Sequence, residues 1–159
     1  LCQNQSLDIA LIFLKISPDL SKEQVDQLLK VTQKHNVQGW IISNLTKQRE
    51  KSGISPPEFS KVGSGGLSGK PVEKMANEII SYVYQKTNGK LTIIGSGGIF
   101  TAEDAYEKIK RGASLLQIIT GMIFEGPQVV SKINRGLVKL LEKEGYKNIA
   151  EAVGAYHRR

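Results

Sequence analysis

Residues 91–112 read LTIIGSGGIFTAEDAYEKIKRG, and the order of residue types in this stretch decides the fold class. Leu91 to Gly95 is a short apolar run closed by glycine, the pattern of a strand buried on both faces. Gly97 and Gly98 follow it. Thr101, with Asp104 three residues on, then supplies an N-cap for a helix that Gly112 ends. The unit is strand, glycine turn, helix.

Working outward, the same unit recurs on both sides. Upstream, Leu7 to Ile16 (LDIALIFLKI) predicts a buried strand that stops at Ser17-Pro18-Asp19. Ser21 and Gln24 form a capping box ahead of Val25, Leu28, Leu29 and Thr32 at helical spacing. Val37 to Ser43 (VQGWIIS) is a second strand. After a long polar stretch, Val72, Met75, Ala76, Ile79, Ile80, Val83 and Tyr84 fall on one helical stripe. Downstream, Ser114 to Ile119 is the fourth strand, and Pro127 opens a long helix whose Val130, Ile133, Leu137, Leu140 and Leu141 face the core before Gly145. A short helix over Asn148 to Val153 follows.

Four successive βα units require parallel strands with right-handed crossovers. Two architectures meet that requirement. A doubly wound open sheet is complete at this length, whereas a TIM (β/α)8 barrel needs about 200 residues or more, so this chain would be its C-terminal half, roughly the last four βα units. Barrels typically hold phosphate on the loops after their last two strands, and here those strands lead into Gly95-Ser96-Gly97-Gly98 and Thr120-Gly121. That favours the half barrel, in which Ile12, Leu14, Ile42 and Ile94 would lack an opposite wall.

The 159 residues hold 22 Lys plus Arg against 15 Asp plus Glu, 40% hydrophobic residues and one cysteine, Cys2. A lone cysteine excludes an internal disulfide framework and a multi-thiolate metal site. The longest apolar run is interrupted by Asp8 and closed by Lys15, well short of the roughly 20 residues that span a bilayer. The net charge of +7 is spread over helix lysines, which reads as a solvated face and implies no nucleic acid partner. Starting at Leu1, without Met or a signal peptide, the chain is expected to be a piece of a longer protein.

The candidate site residues lie at strand ends. Gly97 and Gly98 could close their backbone N–H groups on an anion at the helix N-terminus, or simply make a tight turn at positive φ. The cluster Gly63 to Gly69 precedes a helix too, though a flexible linker has the same composition. Lys15 ends an apolar strand, where its ammonium could offset negative charge developing on a bound ring; a snorkelling lysine is the plainer alternative. Ser43 and Asn44 end the second strand, and Thr120 brings a hydroxyl to the end of the fourth. Single signals of this kind are weak, but all four strands carry their polar or glycine residues at the carboxyl end. His35 and His157 lack metal-spaced partners and read as surface residues, and Trp40 as a packing or rim residue.

The ordered segments Lys15-Ile16-Ser17-Pro18-Asp19-Leu20, Ile42-Ser43-Asn44, Gly65-Gly66-Leu67-Ser68-Gly69-Lys70-Pro71, Ile93-Ile94-Gly95-Ser96-Gly97-Gly98-Ile99, Gly112-Ala113-Ser114, Thr120 and His157-Arg158-Arg159 resemble the C-terminal half of dihydroorotate dehydrogenase, more narrowly its quinone-reducing class 2. The resemblance implies an FMN enzyme of pyrimidine synthesis that oxidises dihydroorotate to orotate and passes the electrons to ubiquinone. It places Lys15 against the flavin ring, Ser43 on FMN, and Asn44 and Leu45 at the substrate. Ser68, Gly69, Gly97, Gly98, Ile119 and Thr120 would hold the cofactor. Two positions depart from the family pattern: Ile119 stands where a tyrosine is usual and Leu45 where a threonine is usual. The catalytic base of class 2, a serine, would lie upstream of Leu1 with the first strands and the quinone-binding, membrane-associating helices, so the piece alone is expected to be inactive. A mitochondrial inner membrane location follows from the same resemblance, with the bacterial inner membrane as the alternative. A soluble class 1 relative, another FMN barrel reductase, or a non-catalytic phosphate-binding module are the competing readings.

Overall fold

The computed structural model describes residues 11–53 and 63–158. The beginning of the expected first strand, residues 7–10, and Cys2 lie outside the described residues. The strands are β1 (Phe13–Ile16), β2 (Gly39–Ile42), β3 (Thr92–Ser96) and β4 (Leu115–Gln117); β2 and β4 are shorter than the runs expected, and β3 is moved on by one residue. The helices are α1 (Lys22–Lys34), α2 (Glu73–Lys86), α3 (Ala102–Arg111), α4 (Thr120–Glu125), α5 (Val129–Glu144) and α6 (Ile149–Ala152). Short 3-10 turns cover Arg49–Ser52, Lys70–Val72 and Ala155–His157.

The helix starts follow the capping chemistry. Ser21 accepts from the Gln24 amide while the Gln24 side chain returns to the Ser21 amide, and Thr101 and Asp104 make the same reciprocal pair. Gly145 ends α5 in the left-handed region at φ +80°.

Strand order decides between the two architectures. The sheet runs β1-β2-β3-β4, every ladder parallel, each strand beside its neighbour in sequence. A doubly wound sheet reverses direction at a switch point, and this one does not, so the chain carries four consecutive βα units of barrel type. The free-standing open-sheet module is thereby set aside.

Successive crossovers of one hand and direction stack the helices on one face. On that side Ile16, Trp40, Ile42 and Ile93 pack with Val25, Leu29, Ile80 and Val83, and a second cluster joins Ala105, Ile109, Val129, Ile133 and Leu137. The register alternates accordingly: Leu14, Trp40 and Ile93 are aligned toward the helices, and Lys15, Ile41 and Ile94 toward the bare face. Leu14 and Ile42 therefore have a wall, contrary to the expectation. Ile94 keeps its place on the uncovered side, and Ile12, 55% exposed, precedes the first paired residue of β1.

Trp40 is fully buried, a packing residue of the core, as one of its two readings had it. Two other readings change. His157 is packed, its Nε2 3.2 Å from both the Ser81 hydroxyl and the Arg111 carbonyl and its ring stacked on Tyr84. His35 is exposed at the end of α1, as expected. Lys108, one of the helix lysines read as solvated, is fully buried, and its ammonium donates to Asn77 Oδ1 at 2.7 Å.

Candidate functional site

Parallel strands end together, so residues scattered through the sequence meet at one edge. A cleft open to solvent on one side lies there. Its lining includes all ten expected residues: Lys15, Ser43, Asn44, Leu45, Ser68, Gly69, Gly97, Gly98, Ile119 and Thr120. Val72, Ser96, Ile99, Gln117, Ile118 and Gly121 complete it. Among the described lining residues Lys15 alone carries a charge.

Lys15 points across the bare face, its ammonium 3.4 Å from Gln117 Oε1 on β4, a reach over the whole sheet that a curled sheet favours. Beyond β2 the ladder continues one residue on each side: Ser43 N donates to Ser96 O at 3.1 Å and Asn44 N to Ile16 O at 2.9 Å. These bonds fix the backbone of the pair while the Asn44 side chain stays exposed. Gln117 was not anticipated as a site residue; its position as the last residue of β4 was the signal.

Two glycine segments form the floor and rim. Gly97 and Gly98 adopt φ +92° and +78°, and their N–H groups donate to no acceptor among the described residues. A Cβ on Gly97 would stand 2.8 Å from Val72 Cγ2, and one on Gly98 would overlap Glu73, whose Cα is only 2.9 Å away. Both glycines are thus required by backbone angle and by packing on the start of α2. The Gly98 position closes against protein, where the sequence suggested a close approach to a ligand.

The second segment is tied in by its ends. Thr46 and Leu67 exchange backbone bonds of 2.9 and 2.8 Å, and Ser68 Oγ lies 3.0 Å from Thr120 Oγ1. Gly69 sits at φ +76°, and a Cβ there would stand 2.9 Å from the Thr120 methyl. Thr46 is itself fixed by Asp19, which accepts from the Thr46 hydroxyl and from Lys47 N at 2.8 Å. Thr120 does not end β4 as expected. The strand stops at Gln117 and Thr120 is the first residue of α4, which presents its hydroxyl beside the cleft.

Beside the cleft sits a charge cluster. Lys70 Nζ is 2.5 Å from Asp104 Oδ1 and 2.9 Å from Glu73 Oε2. Asp104 Oδ2 accepts from Phe100 N at 2.9 Å and Thr101 N at 3.0 Å. Burial alone would push the Asp104 carboxyl up, but the bonds from Lys70 and the two amides outweigh it and hold it below the usual carboxylate range. Below the sheet end, burial drives the Lys108 ammonium down to about 8, with the Glu73 and Asp104 carboxylates opposing the shift. No group of three or more His, Cys, Asp or Glu placed to hold a metal occurs among the described residues.

A consecutive parallel sheet with helices on one side and a singly charged cleft at the strand carboxyl ends defines part of an α/β barrel, the architecture whose sites sit at that end. The family profile described as dihydroorotate dehydrogenase matches residues 2–141. The chain belongs to the dihydroorotate dehydrogenase family. Among its relatives, the dihydroorotate dehydrogenase (quinone) of Crocosphaera subtropica is 48% identical over 149 residues, 90% of this chain and 39% of that protein. The mitochondrial dihydroorotate dehydrogenase (quinone) of Arabidopsis thaliana is 40% identical over 147 residues, 92% of this chain and 32% of that protein. The crystal structure of ligand-free DHODH from Eimeria tenella superposes with a TM-score of 0.85 at 40% identity, covering 94% of this chain and 41% of that one. The chain thus spans less than half the length of each of these relatives.

Proposed function

We propose that this chain is the C-terminal half of a single FMN-binding (β/α)8 barrel, and that the whole protein oxidises dihydroorotate to orotate with ubiquinone as acceptor. The observation that carries the reading is one cleft into which ten residues from the four strand ends and the Gly63–Gly69 segment converge, with one cation among them. The relatives' names support the quinone-linked class over the soluble one.

The cleft suits a flavin. Its lining alternates apolar side chains, Leu45, Val72, Ile99, Ile118 and Ile119, with hydroxyls and unpaired glycine amides, which matches a flat ring bearing polar edges and a phosphate. FMN, when bound, supplies the hydride-accepting ring. Lys15, exposed on the bare face of this chain, would set its ammonium against that ring, where a fixed positive charge opposes developing negative charge. The Gly97 and Gly98 amides, with Thr120 and Ser68, would hold the phosphate end. Ser43, Gly69 and Ile119 would line the cofactor. Asn44 would offer its amide to the substrate, donating and accepting at once, with Leu45 beside it. The base that removes the substrate proton lies in the part of the barrel this chain does not contain, so residues 1–159 alone would not turn over dihydroorotate. The relatives' names support association of the whole enzyme with a quinone-bearing membrane, the mitochondrial or the bacterial inner membrane.

The test uses full-length protein. It should purify yellow and reduce a short-chain ubiquinone in the presence of dihydroorotate. Colourless protein that takes up no FMN, or turnover with a soluble acceptor and none with quinone, would overturn the reading.

A further inference from the structure

We propose that Lys70 is a positioning residue for the phosphate end of the cleft: its one ammonium neutralises the two carboxylates flanking the glycine turn and fastens the Gly63–Gly69 segment to the start of α3. The inference rests on the reading of the cleft as an FMN site and goes beyond it, because Lys70 does not line the cleft.

The geometry joins three segments through three side chains, Lys70, Glu73 and Asp104. Asp104 uses one carboxylate oxygen for the amides of Phe100 and Thr101, which shapes the chain just after Gly97-Gly98. Its other oxygen meets Lys70 at 2.5 Å. Lys70 also meets Glu73 at 2.9 Å, and Glu73 is the residue on which Gly98 is seated. Lys70 directly follows Gly69, whose backbone passes Thr120, so moving the ammonium moves the strap as well.

Charge gives the network its consequence. Without Lys70, two carboxylates would stand beside the turn proposed to bind a phosphate, and like charges within a Debye length of about 8 Å repel an incoming anion. Asp104 is only 11% exposed on its side chain, so water screens it poorly. Lys70 is half exposed, which keeps the expected effect moderate. Partial burial pulls the Lys70 ammonium down, yet its bonds to Asp104 and Glu73 hold it above the usual lysine value, so the cluster keeps its cation at neutral pH.

The test measures FMN affinity by flavin fluorescence on full-length protein stripped of cofactor. K70M should raise the Kd for FMN roughly fivefold, and K70R should restore it to within about twofold of the parent. D104N should weaken FMN as well, and the double variant K70M/D104N should lose less than the product of the two single effects, since each removes the same contact. K70Q provides the same comparison where K70M does not accumulate. A Kd for K70M or K70Q within about 1.5-fold of the parent, or a K70R as impaired as K70M, overturns the inference alone. A parent that takes up no FMN overturns it together with the reading it rests on.

Discussion

The two glycine segments of the cleft look alike as sequence and differ as structure. Gly97 and Gly98 are locked, both at positive φ and both pressed on Val72 and Glu73 at the start of α2. In the Gly63–Gly69 segment, a Cβ on Gly63 or Gly65 would meet nothing within 4 Å, while one on Gly66 would stand 2.8 Å from Thr46 O and one on Gly69 2.9 Å from the Thr120 methyl. The first segment is a packed turn whose glycines are compulsory. The second is a strap, held by Leu67, Ser68, Gly69 and the Arg49 guanidinium on the Gly65 carbonyl at 2.7 Å, with open links between. Glycine enrichment has two causes here, and only contact tells them apart.

That contrast can be broken most sharply at Gly98. Gly98→Val combines a disallowed backbone angle with overlap on Glu73, and should cost at least about 3 kcal/mol of stability together with FMN retention. Urea denaturation and the absorbance of the purified full-length protein give both readouts; a fully stable, yellow variant would mean the turn is not packed as described.

The packed side should also show in pH dependence. Lys108 lies beneath β3, its Cδ 3.3 Å from where a Cβ on Gly95 would stand, and its folded-state value of about 8 is below its ordinary 10.5. A depressed lysine costs stability while it is charged, so its penalty is full below pH 8 and is relieved as pH rises from about 8 to 10.5. Stability should therefore climb through that window, by up to about 3 kcal/mol from this group. Lys70 and Lys86, whose values are raised, lose their contributions only above that window. In Lys108→Met the climb should vanish, and pH-resolved denaturation of both proteins decides it.

At the rim the expected effects shrink. Asn44→Ala should leave flavin content intact and weaken dihydroorotate binding or turnover by about 1 to 3 kcal/mol, as read from kcat/KM. An unchanged value would remove Asn44 from the substrate site. Gly65→Ala, in the open part of the strap, should change stability and FMN affinity by less than about 0.5 kcal/mol. A large loss there would erase the distinction between turn and strap.

Much of this was legible in the sequence because local chemistry determined it. The capping pairs Ser21/Gln24 and Thr101/Asp104 and the stop at Gly145 set helix boundaries, and the carboxyl-end clustering of Lys15, Ser43-Asn44, Gly97-Gly98 and Thr120 marked the cleft. The βα units alone left strand order open, because open sheet and barrel share them and differ only in which way each crossover steps; the glycine and threonine loops after the last two strands pointed to the barrel, and the order β1-β2-β3-β4 agrees. Helix α4 was missed since Ile118 and Ile119 extend the apolar run of β4 and hide its end at Gln117. Lys108 was hidden for another reason. It sits on the α3 line Ala105, Lys108, Gly112, at the border of the apolar stripe, and its partner Asn77 is 31 residues away. No periodicity reports a contact of that kind.

The sequential strand order also has a consequence for how the chain comes off the ribosome. Each ladder joins a strand to the one made just before it, so the sheet can lengthen in the order of synthesis, one βα unit at a time, without waiting for a distant segment. At every stage past β2, a nascent sheet of this kind presents a single advancing edge, and the strand that covers it is the next to emerge. Any pause in translation before the next strand leaves the newest edge bare, and one between β3 and β4 would keep the Thr92–Ser96 edge unpaired until Leu115–Gln117 arrives and invite pairing with another chain.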